Sequence, residues 1–286
     1  MTELVSQAKP ERALALVPAC AALGLSRATL YRQRGTSAEA DTEVRDAIQR
    51  IALEMPCYGY RRITAELRRR SLRVNHKAVL RLMREDNLLC LRRKRAFVVT
   101  TDARHTQPVY PNLARDLRLD SINQLWVADI TYIRLAHEFI YLAVILDAFS
   151  RRVIGWALER YLDAELTLQA LRMALRTREV TPRLVHHSDR GVQYACADYI
   201  ELLVASGIRI SMSRTANPYD NAQCERFMRT LKYEEVYLSD YDTLAEARRS
   251  IKYFLESVYN QKRLHSAIGY VPPVEFEQSL LTVNHP

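Results

Sequence analysis

The chain has 286 residues, 48% of them hydrophobic and seven of them glycine, which excludes wholesale disorder and allows one large domain or two to three small ones. No apolar run approaches the roughly 18 to 20 residues needed to cross a bilayer, the N-terminus has no signal-peptide pattern, and the five scattered cysteines suggest no disulfide framework, so a reducing, cytoplasmic setting and no membrane partner are expected. The net charge of +9 is unevenly placed, with +11 over residues 1–119 and −2 over residues 120–286, as in a nucleic-acid-binding arm joined to a separate catalytic or regulatory domain.

The first helical block is RALALVPACAALGLSRATLYRQR, in which Gly24 breaks the apolar pattern and Ser26 is placed to cap a second short helix. Residues 1–36 therefore read as a helix-turn-helix, with Arg27, Thr29 and Arg32 facing DNA; a small helical hairpin that only forms a core fits the same pattern. Residues 36–42 are small and polar and read as a linker. Residues 43–91 contain three helical segments, lined by Val44, Ile48 and Ile51, by Ile63 and Leu67, and by Val79, Leu80 and Met83. Asn75 is a candidate N-cap for the third. This second basic three-helix module offers Arg61, Arg62, Arg69, Arg73 and Lys77 to phosphates. Residues 92–120 lose periodicity and read as an extended basic linker whose Arg92, Arg93, Lys94 and Arg95 track the DNA backbone.

From Gln124 the period becomes that of strands. QLWVADITYIRL, EFIYLAVILDAF and RRVIGWALE are three successive strands, and helix, strand, helix, strand and helix follow. The expected class is α/β, a mixed five-stranded sheet with helices on its faces over residues 121–262. Residues 263–286 read as a C-terminal tail, and GYVPPVEFE as a stretch that no regular helix crosses at Pro272–Pro273.

Three carboxylates carry the chemistry. Asp129 sits inside an apolar strand, where an acid is expensive unless paired or metal-bound. Asp189 follows the fourth strand, and Glu225 lies on the helix that opens near Asn221. Brought together, such acids repel unless cations neutralise them, and hard oxygen donors select Mg²⁺ or Mn²⁺. Two ions per site would suit in-line phosphoryl transfer. Asp147, which also ends a strand, is a rival ligand. Asp220 reads as a helix cap. Arg229 and Lys232, at i+4 and i+7 from Glu225, would present cations to a phosphate backbone, although i,i+4 pairing explains Glu225 and Arg229 without DNA. His186 and His187 read either as site residues or as structural histidines. Zinc-ligand spacing and a Gly-rich nucleotide loop are both missing from the sequence.

WVADITYIRL, EFIYLAVILDAFSRRVIGWAL, HHSDRGVQYA, NPYDNAQCERFMRTLKYE and YNQKRLHSAIGYVPPVEFE together resemble the catalytic subunit of IS3-family bacterial insertion-sequence transposases, within the retroviral-integrase-like enzymes. The resemblance implies an RNase H-like fold and an Asp-Asp-Glu triad at Asp129, Asp189 and Glu225, with 35 residues between the last two acids. It also decides between Asp129 and Asp147. It further implies metal-dependent strand cleavage and strand transfer on terminal inverted repeats and target DNA, by a homo-oligomer in the bacterial nucleoid. A separate upstream helix-turn-helix and leucine-zipper subunit is an implied partner. A non-catalytic DNA-binding regulator or assembly subunit, and a nuclease that cuts without joining, are the competing readings.

Overall fold

The computed structural model describes residues 38–89, 108–214 and 218–283, together with Cys20, Ala21, Gly24 and Ser26. The first helix-turn-helix with Arg27 and Arg32, and the basic run Arg92, Arg93, Lys94 and Arg95, lie outside the described residues. The chain forms two compact units, one built of residues up to 55 with 63–89, the other of residues 56–62 with those from 90 onward.

The smaller unit is helical. Helix α1 (Ala38–Glu54) begins inside the stretch read as a linker, because the Ala-Glu-Ala start of that stretch has good helix formers and no breaker. Helices α2 (Tyr60–Arg69) and α3 (His76–Glu85) follow, and Asn75 caps α3 by accepting from the Lys77 N–H at 2.9 Å. Ile48, Ile51, Ile63, Leu67, Val79 and Met83 are buried, and Leu82 takes the place expected of Leu80. Several cations are consumed within the module: Arg45 pairs with Glu85 and Asp86, Arg70 with Glu54 and Glu66, and Arg81 with Asp41 and Glu85.

The larger unit is a five-stranded sheet in the order β3-β2-β1-β4-β5. Strands β1 (Leu125–Arg134), β2 (Phe139–Asp147) and β3 (Val153–Glu159) form an antiparallel meander, whereas β4 (Val185–Ser188) and β5 (Arg209–Met212) add in parallel through helical crossovers. This is a mixed five-stranded sheet with helices on its faces, the class expected from the sequence periods. One face packs on helices α4 (Ala164–Thr177) and α6 (Ala197–Ala205), and the short α5 (Val192–Ala195) sits between β4 and α6. The α4 contact is close enough to demand glycine: a Cβ on Gly155 would lie 2.2 Å from the Ala170 carbonyl oxygen. The opposite face buries Leu125, Val127, Val144 and Val185 against α7 (Ala222–Leu231) and α8 (Leu244–Tyr253).

The C-terminal segment belongs to this unit and is not a loose tail. Pro273 occupies the first turn of α9 (Pro273–Val283), where a missing N–H costs nothing, so the two prolines start a helix where the sequence suggested none. On that helix Glu277 is buried and accepts from both Arg178 and Arg152 at 2.6 Å. The end of the apparent linker also folds back: Tyr110, Leu113, Ala114 and Leu119 pack on the two faces of the sheet.

Candidate active site

Alternation along β1 sends Leu125 and Val127 to the α7 face, and Asp129 follows on that face two residues later, opposite Val144 of β2. Strand β4 runs parallel to β1 with Val127 beside His187. Continuing that register by two residues brings Asp189 level with Asp129, just beyond the end of β4. Two half-buried carboxylates thus stand at one height, one within β1 and one just past the end of β4. Asp189 Oδ1 accepts the Gly191 N–H at 2.9 Å, which fixes one of its oxygens in the turn after the strand.

Helix α7 crosses above them. Asn221, buried at its start, donates its side-chain amide to the Ala128 carbonyl at 3.0 Å and so pins the helix to the residue preceding Asp129. Cys224, Phe227, Met228 and Leu231 are the buried residues of the helix, and Glu225 stands beside them at the solvent edge. The negative charge of Asp129, Asp189 and Glu225 together helps burial raise the Cys224 thiol far above its ordinary pKa, which places this side chain in the field of all three acids. Tyr194, whose buried hydroxyl has no hydrogen-bond partner, lies in the field of Asp129 and Asp189. Lys232, in the wide π-type turn Lys232–Val236 that ends α7, lies 4.5 Å from the centre of the Tyr132 ring and offsets part of the charge on Asp129.

That offset is incomplete. Burial first, then the Asp189 and Glu225 charges, push the Asp129 carboxyl up to about 8. Glu225 is raised by its partial burial. Among the described residues no three His, Cys, Asp or Glu side chains are gathered tightly enough to hold an ion as they stand. The donor chemistry nevertheless fits a hard divalent cation: the neighbouring groups are carboxylates, and Lys232 offsets only part of the charge on Asp129.

Asp147 is of another kind. It is fully buried and accepts from the backbone N–H groups of Asn123 (2.7 Å), Phe149 (3.0 Å) and Ser150 (2.8 Å) and from the Ser150 hydroxyl (3.1 Å). It sits level with Trp126, three residues or roughly 10 Å along the strand from Asp129. Its oxygens are committed to holding the β2–β3 turn. His186 and His187 are likewise structural. Ser211 Oγ accepts the Leu113 N–H, so its own hydrogen is free to donate to His187 Nδ1 at 2.7 Å, and Nε2 of the same ring meets Ser213 Oγ at 3.0 Å. His186 Nε2 meets the Tyr199 hydroxyl at 2.9 Å. Burial holds both rings neutral, at about 3 for His186 and about 4 for His187.

Asp220 does not cap the helix. It accepts from the Arg214 backbone N–H at 2.9 Å and from the Arg214 guanidinium at 3.1 Å, closing the loop that precedes α7. Those donors hold its carboxyl well below the ordinary range. Among the candidate DNA contacts, Arg73 and Lys77 are exposed, Arg61 is exposed beside the Tyr60 hydroxyl, and Arg69 lies 3.6 Å from Glu66. Arg62 is turned inward: its Nε donates to the Leu264 carbonyl at 3.0 Å and its guanidinium stacks over Tyr58. Arg229 stacks over the Tyr233 ring. Sequence reading missed Asn221, Tyr194 and the Lys232–Tyr132 contact; the only signal was an amide residue immediately before an apolar-striped helix.

Residues 39–96 match the HTH-like domain family, and residues 120–218 and 206–273 match two integrase core domain families. The insertion element IS600 uncharacterized 31 kDa protein of Shigella sonnei is 35% identical over 268 residues, 91% of this chain and 97% of that protein. Transposase InsF for insertion sequence IS3A of Escherichia coli (strain K12) is 36% identical over 225 residues, 78% of each chain. Among solved structures, the catalytic core domain of BIV integrase aligns with a TM-score of 0.43 at 22% identity, covering 57% of this chain and 99% of that one.

Proposed function

The chain belongs to the IS3 family of insertion-sequence transposases, and from that premise we propose that Asp129, Asp189 and Glu225 are the catalytic carboxylates of its DNA strand-cleaving and strand-transferring reaction. The family makes the protein a polynucleotidyl transferase acting in DNA transposition. The observation that carries the residue assignment is the register of β1 and β4, which continued two residues past Val127 and His187 brings Asp189 level with Asp129, with α7 tied to β1 through Asn221.

The three acids would hold divalent cations, Mg²⁺ or Mn²⁺, two per site. When bound, these supply the charge that activates the attacking water or 3′-hydroxyl and stabilises the leaving oxygen. The chain's own contributions are positional. The β1 and β4 backbones set two carboxylates at a fixed separation on a rigid sheet. Asn221 holds the helix that delivers Glu225. Lys232 keeps a cation beside Asp129 and tempers the repulsion among the acids before the dications arrive.

Exposed cations on each unit would contact DNA. Arg73, with Arg68, Val74 and Asn75, borders an open depression on the helical module, and Lys77 follows on the same turn. Arg61, Arg69 and Arg229 extend this set. The substrate we assign is the terminal inverted repeats and target DNA, handled by a homo-oligomer, since joining two ends to a target requires more than one active site. A separate upstream helix-turn-helix and leucine-zipper subunit remains part of this reading. Among the described residues no helix is long and apolar enough to cross a membrane.

Incubating the purified chain with duplexes carrying the element ends, in Mg²⁺, tests the assignment. Cleaved and joined products from the wild type and none from Glu225→Gln are expected. Nicking without joining selects a nuclease, and DNA binding without either reaction by the wild type removes the catalytic reading.

A further inference from the structure

Helix α7 has a second flank. Glu225, Arg229 and Lys232 lie along one side of its buried stripe, and Gln223, Arg226, Phe227 and Thr230 lie along the other at the i, i+3, i+4, i+7 spacing of one helix edge. That other edge, the β2–β3 turn and the segment around Arg263–Ala267 enclose a cleft of about 130 Å³. Its polar walls include Arg62, Arg151, Arg226, Arg263, Gln223 and His265.

The cations in this cleft outnumber their counterions. Arg263 is matched by Glu234 through two bonds of 2.6 Å. Asp147 borders the cleft, but its oxygens are taken by the turn. Burial and the neighbouring guanidinium groups lower the affinity of Arg62 and Arg151 for their protons. Gathering positive charge away from water without an anion is costly, so a bound anion would relieve the arrangement.

Unpartnered atoms mark the same place. Arg151 Nε, Gln223 Oε1 and His265 Nε2 are all buried without a hydrogen-bond partner. They come from a turn, a helix and the C-terminal segment, yet they line one cleft. His265 is 8% exposed, and its ring is held edge-on to Tyr259 at 4.7 Å. A flip of the Gln223 amide turns its acceptor into a donor, and the neutral imidazole nitrogen accepts from hydrogen phosphate or, as the other tautomer, donates to the unprotonated oxygen of a phosphodiester. Arg151 also keeps a left-handed backbone, φ 67°, which a non-glycine side chain adopts at a cost. Guanidinium forks match the oxygens of tetrahedral anions, and the cleft, open to solvent, is large enough for one such group.

We propose that this cleft is a binding site for one phosphate-class oxyanion, seated on the flank of α7 opposite the acids. Two sources share that chemistry: a phosphodiester of bound DNA and free inorganic phosphate. The site stands on its own residues and does not depend on the acids being catalytic.

The test titrates the full chain, free of divalent metal, with inorganic phosphate against chloride at constant ionic strength, following heat. In parallel, binding of a fluorescent duplex is measured across a salt series. Two variants are compared with the wild type: Arg226→Gln, at an exposed helix position, and the double change Arg151→Asn with His265→Gln, in which asparagine suits the left-handed backbone. Phosphate affinity is expected to fall about ten-fold or more in each. A duplex affinity that falls as well, with its log–log salt slope reduced by about 1, identifies the DNA backbone as the source. An unchanged duplex slope identifies free phosphate. A wild type that binds phosphate no better than chloride, or an Arg226→Gln protein that binds it as the wild type does, overturns the proposal. Should the double variant not fold, Arg226→Gln decides alone. Glu225→Gln is expected to keep wild-type phosphate affinity, so failure of the catalytic assignment and failure of this site give different results.

Discussion

The two flanks of helix α7 carry opposite and unbalanced charge. On one, Asp129, Asp189 and Glu225 stand together, with Lys232 offsetting part of the charge on Asp129; on the other, four arginines line a cleft, and Glu234 is already taken by one of them, Arg263. Nearby charges are treated differently. Asp147 has four donors, and Glu277 has two guanidinium partners. Where a charge holds the fold together, the chain supplies every partner itself. Where buried polar atoms lack partners, as at Arg151, Gln223 and His265, the proposed oxyanion site is what would supply them.

The acid flank gives the largest expected effect. Asp129→Asn, Asp189→Asn or Glu225→Gln should lower strand joining at least about 10²-fold, by analogy with removing one electrostatic contributor from other active sites, while phosphate binding at the cleft stays intact. Joining assays and phosphate titration on the same preparations check this, and parallel loss of both would show that the two flanks are not separate.

Glu277→Ala breaks a completed cluster instead. It leaves Arg178, 7% exposed, without its partner, and should cost about 3–5 kcal/mol in denaturant unfolding. A loss under 1 kcal/mol would show that α9 is not part of the core of this unit. The pair also follows pH in the opposite sense to the acid site. Arg178 and Arg152 hold the Glu277 carboxyl down, so its contribution is present above the ordinary carboxylate range and disappears as pH falls through its lowered value.

Asp129 titrates the other way. Its carboxyl is raised to about 8, so between about pH 4 and 8 the folded state holds a proton that the unfolded state has lost. Metal-free protein should therefore lose stability as pH rises through that window. Asp129→Asn should show a flatter profile, and Mg²⁺ should restore stability to the wild type at the alkaline end. Equal slopes for the two proteins would mean that Asp129 is not held in this field.

Asn221→Ala should have a smaller effect, about 1–3 kcal/mol, because the buried Ala128 carbonyl loses its partner. Joining should fall through mispositioning of Glu225, and Asn221→Asp, whose carboxylate cannot donate, should fail to rescue it. The smallest effect belongs to the helical module. Arg73→Gln or Lys77→Gln should each reduce the salt slope of duplex binding by about 1 without touching the chemistry. An unchanged slope would remove that residue from the DNA path.

Local pattern was enough for much of this. The strand periods of 124–135, 138–149 and 151–159, the apolar positions of α4, and Asn75 before α3 each depend on near neighbours along the chain, and the structure follows them. An acid in an apolar strand and an acid at a strand end marked Asp129 and Asp189 as candidates, but the pattern left Asp147 open beside Asp129, and the family resemblance selected the Asp129, Asp189 and Glu225 set proposed as catalytic. The inward turn of Arg62 was not legible, since its acceptor is Leu264. The roles of His186 and His187 depend on Tyr199, Ser211 and Ser213. Neither the start of a helix at Pro273 nor its docking follows from the residues beside it alone, because Glu277 finds Arg178 only across the folded unit.

By itself, then, the sequence determined the order of elements and the sheet-forming core, because hydrophobic period and residue type act over a few residues. The tertiary structure alone decided which charges are used up and which are left over. Asp129 and Asp147 look alike along the chain; one faces two other carboxylates and the other faces three backbone N–H groups and a hydroxyl. The fate of a buried charge is set by partners that only folding brings within hydrogen-bonding distance.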